Sequence, residues 1–154
     1  MKIILQVFIL LLYFGCSNIK DVTQNPPLIN VIVQKDKYSL IFKHYFYKHF
    51  ETYDKNKAEI TVETDLSFTS RNILSNKGDN DLTLIKGTVD FKIFNVSNTE
   101  IIKTGSISSS VNTGSVSSLY GVDENNNFAK ERISKNLALK LYRKVLLDMN
   151  YSEN

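Results

Sequence analysis

The amino-acid sequence predicts an α+β domain: two helices packed on one face of a mostly antiparallel four-stranded sheet, in the order β-α-β-β-β-α. Three observations carry this. Between Ala58 and Thr69 the residues alternate strictly, with Ala58, Ile60, Val62, Leu66 and Phe68 in one phase and Glu59, Thr61, Glu63, Asp65, Ser67 and Thr69 in the other. That is the pattern of a long strand with one buried face and one wet face. Near the C-terminus, Ala129, Ile133, Leu137, Leu141 and Val145 recur at the spacing of a single helical stripe. The stretches between these two segments carry further strand patterns broken by turn residues.

Taken in order, Leu28 to Val33 is a short β-branched run and reads as the first strand. Tyr38 to Glu51 follows, with Leu40, Ile41, Tyr45 and Phe46 at helical spacing and Phe42, Tyr47 and Phe50 filling in. It is expected to be a helix with an unusually aromatic surface, and the surplus rings suit a partner interface as well as a core. After the alternating strand, Asn76 to Asp81 with Gly78 reads as a hairpin connection. The third strand spans about Leu82 to Phe94, with Ile85, Val89, Phe91 and Ile93 inward. Leu82 and Leu84 fall out of phase with that set, which suggests a bulge or a shared edge. Asn95 to Thr99 is a turn, and Ile101 to Asn112 a Ser/Thr-rich fourth strand with Ile107 and Val111 in phase. Thr113 to Tyr120 reads as a loop. Asp123 and Glu124 then place negative charge where it favours the start of a helix running to about Met149.

The N-terminus has a different character. Lys2 supplies a positive start, Ile3 to Phe14 an apolar run, and Gly15 a small residue before Cys16, the single cysteine of the 154 residues. The run is short for a bilayer span and reads as a secretory signal over residues 1–15. A cysteine in that place resembles the lipobox of bacterial lipoproteins, in which the signal is cut before a cysteine that takes the lipid. Tyr13 stands where Leu is usual, with Leu12 one place back. Residues 16–27 then form a polar tether ending in Asn25-Pro26-Pro27, and 28–154 a single domain. With no second cysteine there is no disulfide framework, no catalytic thiol and no Cys-ligated metal, so the hydrophobic core must hold the fold.

Few residues invite chemistry. His44 and His49 are five apart, about 140° around a helix, and do not face one metal. The acidic pairs Glu63/Asp65 and Asp79/Asp81 have no nucleophile, base or metal partner beside them, and the serines from Ser106 to Ser110 have no nearby histidine. Gly114 and Gly121 do not make a phosphate loop. No enzyme, cofactor or metal is expected. The formal charge of +3, which falls by one if Lys2 leaves, is too small for a general nucleic-acid binder. Two basic groupings remain. Lys130, Arg132, Lys135, Lys140, Arg143 and Lys144 lie along the last helix and could meet anionic headgroups, or simply form a solvated face with Glu131. Arg71, Lys77 and Lys86 flank the central hairpin connection and could form a second cationic patch.

Taken together, the chain resembles the lipopolysaccharide-assembly lipoprotein family LptE, in its alphaproteobacterial form. The residues that carry the resemblance are Cys16, the element order, Ser106 to Val111 with Ser117, Ser118 and Tyr120, then Phe128-Ala129-Lys130-Glu131-Arg132 and Asn136-Leu137-Ala138. Ser17-Asn18-Ile19 departs from the Gly-Phe usual after that family's cysteine. The resemblance implies a non-enzymatic outer-membrane lipoprotein, lipid-anchored on the periplasmic side. It implies a subunit that plugs the β-barrel LptD, assists its assembly and helps insert lipopolysaccharide in the outer leaflet. It also makes lipopolysaccharide contact at Arg71, Lys77 and Lys86 an expectation. The competing expectation is a periplasm-facing lipoprotein that binds and regulates a cell-wall-synthesising enzyme.

Overall fold

The computed structural model describes residues 29–48, 58–73, 82–97, 100–114 and 118–150. The expected signal, the tether, Cys16, His49 and Lys77 lie outside them. The described elements are β1 (Ile29–Ile32), α1 (Lys37–Tyr47), β2 (Ile60–Ile73), β3 (Leu82–Asn95), β4 (Ile101–Thr113) and α2 (Leu119–Asn150). The strands lie side by side in chain order, β1 parallel to β2 and the other pairs antiparallel. The predicted α+β architecture and its order are those of the structure.

The alternation in β2 decides which face is covered. Ile60, Val62 and Leu66 are buried with Ile85, Val89, Phe91 and Ile93 of β3, beneath Phe42 and Phe46 of α1 and Ala129, Ile133, Leu137, Leu141 and Val145 of α2. All belong to one cluster, so both helices pack on the same face. Each fully buried Val, Leu, Ile or Phe contributes about 1.5–3 kcal/mol relative to exposure. In β3, Gly87 shares the inward phase, and a Cβ there would run into Ile133 Cγ2 and lie 3.1 Å from Leu137 Cδ1 and Phe68 Cε1. Gly87 is what lets α2 lie close on the sheet. Gly105 in β4 sits directly opposite Phe91, whose ring occupies the space a side chain would take, 2.7 Å from an added Cβ.

Both sheet edges receive a side chain. The amide of Val31 in β1 donates to Tyr47 Oη at 2.7 Å, and Lys140 Nζ donates to the carbonyl of Ser108 in β4 at 2.7 Å. Such contacts cover backbone groups that would otherwise invite another strand.

Three details differ from expectation. The buried face of α1 is Ser39, Phe42 and Phe46, while Leu40 is 55% exposed. Only one stripe of a helix can face the sheet, and here the two Phe rings fill it, Phe46 meeting Tyr142 of α2 edge-on. No bulge occurs at Leu82 or Leu84; β3 pairs with β2 without interruption, and its irregularity lies at Ile93/Phe94 against β4. Finally, α2 starts before Asp123, because Ser118 caps it: Ser118 Oγ accepts from the Gly121 amide at 3.0 Å. At α1, Asp36 plays that part, its Oδ1 accepting from the amides of Tyr38 and Ser39 at 2.9 and 3.0 Å. Desolvation works against the ionised Asp36, but the hydrogen bonds from Ser39 and Tyr38 outweigh it and hold the carboxyl below its ordinary range.

Candidate functional site on the open face of the sheet

With both helices on one side, the other face of the sheet carries no layer among the described residues. Its composition follows from the polar phase of each strand. The register sets these residues in rows across the sheet: Glu63, Lys92 and Thr104; Asp65, Asp90 and Ser106; Ser67, Thr88 and Ser108; Thr69, Lys86 and Ser110. The first two rows line a broad, shallow hollow of 610 Å³. Asp65 faces Asp90 directly, a like-charged pair that is tolerable only in contact with water or a donor. Gln34 supplies one donor, its Nε2 lying 2.6 Å from Asp65 Oδ1. The hollow contains Glu63 and two aspartates, yet no group of three His, Cys, Asp or Glu among the described residues converges as a metal site would.

Arg71 and Lys86 lie on this same face. Thr69 is paired with Lys86 and Arg71 with Leu84, which makes the two cations diagonal neighbours at the end of the sheet away from the start of β1. The two described members of the expected cationic group thus sit together, exposed to solvent.

Of the basic residues named along α2, Arg132 and Arg143 are exposed, while the four lysines are engaged. Lys130 Nζ lies 5.6 Å from the Tyr38 ring and 5.9 Å from the Phe68 ring, and Lys135 Nζ lies 4.9 Å from the Tyr45 ring. Lys140 reaches Ser108, and Lys144 lies 3.6 Å from Asp148. Glu131 pairs across the helices with Lys37 at 2.9 Å, its hydrogen bond holding that ammonium above its ordinary range. The aromatic surplus of α1 is consumed in the same contacts. Tyr38 also stacks edge-on against Phe68, and its hydroxyl donates to Asn127 Oδ1 at 2.6 Å. Sequence reasoning missed this matching of α1 rings to α2 lysines, since nothing local pairs two helices so far apart in the chain. His44 is exposed, 5.5 Å from the Tyr45 ring.

The architecture is a single sheet with two helices on one side and a polar face on the other. That fold recurs among bacterial lipoproteins. Rare lipoprotein B from Shewanella oneidensis shares it with a TM-score of 0.63 at 7% identity, over 82% of this chain and 99% of the other. A candidate lipoprotein from Caulobacter crescentus gives 0.62 at 13% identity, over 81% and 90%. A minor lipoprotein from Acinetobacter baumannii gives 0.56 at 16% identity, over 80% and 93%. At such identities the likeness is one of fold. No family model and no curated protein matches the sequence.

Proposed function

We propose that this chain is a non-catalytic outer-membrane lipoprotein, anchored by acyl chains on Cys16 at the periplasmic leaflet, that serves as a plug-like subunit of the lipopolysaccharide translocon. In this reading it occupies an LptD-type β-barrel, assists its assembly and helps deliver lipopolysaccharide to the outer leaflet. The observation that carries the reading is the open face: its central rows are Ser, Thr and mixed charge, with Ile32, Leu84 and Phe94 at its margins and no covering layer among the described residues, suited to the polar lumen of a large barrel. The fold shared with lipoproteins and the Cys16 motif support the anchor, and more than one acyl chain is what makes such an anchor stable. Arg71 and Lys86, with Lys77 from the connection between their strands, are the proposed contacts for the phosphorylated glycolipid.

The test is depletion of the protein in its own cell. Folded LptD and surface lipopolysaccharide are expected to fall together, and an LptD-type barrel is expected to co-purify with the tagged chain. Normal barrel folding with recovery of a cell-wall synthase instead would overturn the reading in favour of a regulatory lipoprotein. Charge reversal at Arg71 and Lys86 that left glycolipid binding unchanged would remove those two positions.

A further inference from the structure

One end of the domain is apolar where a turn would ordinarily be polar. Val96 is 48% exposed, Ile101 54%, Ile102 47% and Leu147 59%. They belong together in space. Asn95 N bonds to the Glu100 carbonyl at 3.1 Å, which closes the β3–β4 turn with Val96 just beyond Asn95 and Ile101 just after Glu100. Lys103 Nζ meets Asp148 Oδ1 at 2.6 Å, which draws the last turns of α2, and Leu147 with them, to the same end. Among the described turn residues, Asn95 Oδ1 takes the Ser97 amide at 2.9 Å. That hydrogen bonding does not call for the large aliphatic side chains gathered around it.

The chain enters the domain at this end. Ile29 pairs with Ile60, Ile60 with Asn95, and the Val96 amide donates to the Glu59 carbonyl at 3.0 Å. Residues 16–28 thus run from Cys16 to the first strand at the apolar end. Thirteen residues reach about 45 Å at full extension, and Pro26-Pro27 stiffens the part nearest the domain. Resting on our proposal that Cys16 is lipidated, we infer that this end of the domain docks on the phospholipid bilayer that holds the anchor, with Val96, Ile101, Ile102 and Leu147 entering its interfacial region.

The position of the patch selects this occupant: it lies at the end where the segment from Cys16 reaches the first strand. Ile101 pairs with Phe94 and Lys103 with Ile93, so the register break leaves Ile102 as the extra, unpaired residue of the strand, beside Val96 at the turn. The neighbouring charges are mixed: Glu59 and Glu100 are exposed, and Lys103 and Lys144 are both drawn to Asp148. Docking is consequently apolar in origin and insensitive to salt. No helix among the described residues is long and apolar enough to cross a membrane, so the contact is superficial and depends on the tether for its persistence.

The test uses the full chain purified with its lipid and reconstituted into phosphatidylethanolamine/phosphatidylglycerol vesicles. Because Cys16 is the sole cysteine, single substitutions Ile102→Cys, Leu147→Cys and, at the far end of β2, Asn72→Cys accept an environment-sensitive fluorophore selectively. The expected result is a blue-shifted label at positions 102 and 147, quenched several-fold more strongly by a lipid-borne nitroxide than the label at 72, and unchanged at high salt. Equal quenching at all three positions overturns the docking. So does a label at 102 and 147 that escapes the nitroxide yet is shielded from aqueous iodide, which points to a second copy, the residues before Ile29 or another protein. Uptake of label by the unsubstituted chain at Cys16 shows instead that the anchor itself is missing, and both readings fall.

Discussion

Replacing Gly87 by Ala sets two effects of opposite sign against each other. Gly87 lies in a regular strand, paired with Phe68 and Ser109, with no left-handed backbone to preserve. Removing its extra freedom in the unfolded chain should stabilise by about 0.4–1 kcal/mol. The added methyl, however, would overlap Ile133 Cγ2, with Leu137 and Phe68 closing the remaining sides at 3.1 Å. Ile133 is β-branched, fully buried and held in a helix, so it has essentially one rotamer and cannot swing away. Overpacking of this kind costs about 1–3 kcal/mol. The overlap outweighs the gain, and Gly87→Ala should destabilise by about 1.3 kcal/mol from the centres of the two ranges and by at most about 2.6 kcal/mol, roughly 4 °C in Tm per kcal/mol for a domain of this size. Urea titration of the domain, followed by circular dichroism, measures it. Second substitutions identify the cause. Ile133→Leu removes the offending Cγ2 at constant volume and should recover part of the loss in the Gly87→Ala background. Ile133→Val keeps Cγ2 and should recover none. A neutral or stabilising Gly87→Ala, or equal rescue by Val and Leu, would refute the close approach as the reason for the glycine.

Gly105→Ala meets only the edge of the Phe91 ring, which can tilt, so it should cost about 1 kcal/mol, less than Gly87→Ala on the same urea titration. Asp36→Ala removes the cap of α1 and should cost about 1 kcal/mol at neutral pH. Because the folded carboxyl titrates below its unfolded value, that stability is present above the unfolded pKa near 3.8 and disappears as pH falls through the lower folded value. Wild type and Asp36→Ala curves should therefore converge in acid, and a gap that persists once the carboxyl is protonated would show that the side chain acts otherwise.

The parts of the fold legible in the sequence are those with a phase. In β2 a polar residue separates each apolar one, so the inward set could be named before any partner was known, and α2 carries its stripe through five residues without a break. The rotation of α1 was not legible because rings and aliphatics occur all round it, and only the packing against the sheet and α2 shows that Phe42 and Phe46 face inward and Leu40 outward. The start of α2 was obscured by several serines before it, any of which could cap, while the acidic pair five residues on gave a louder signal. Arg71 and Lys86 could be singled out by charge, yet their adjacency depends on a register in which Thr69 meets Lys86, and a slip of one residue would have put them on opposite faces.

The same register bears on what kind of partner the open face can accept. An interface core resembles a protein interior and excludes water, so a row such as Asp65 opposite Asp90 would lose its solvation, with Gln34 the donor to Asp65 among the described residues. The apolar side chains on this face, Ile32, Leu84 and Phe94, lie at its margins and away from that row, while the rings of α1 are engaged on the other side: Tyr38 and Tyr45 lie against α2 lysines, Phe46 against Tyr142, and the Tyr47 hydroxyl accepts from an edge amide. A partner that covers this face must therefore leave it wet or bring its own donors to the carboxylates. A polar barrel lumen meets that condition, and a regulatory contact on a synthase would have to meet it with Arg, Lys or ordered water. The rows of Ser, Thr and opposed charge are thus a constraint on the partner's chemistry as much as a property of this domain.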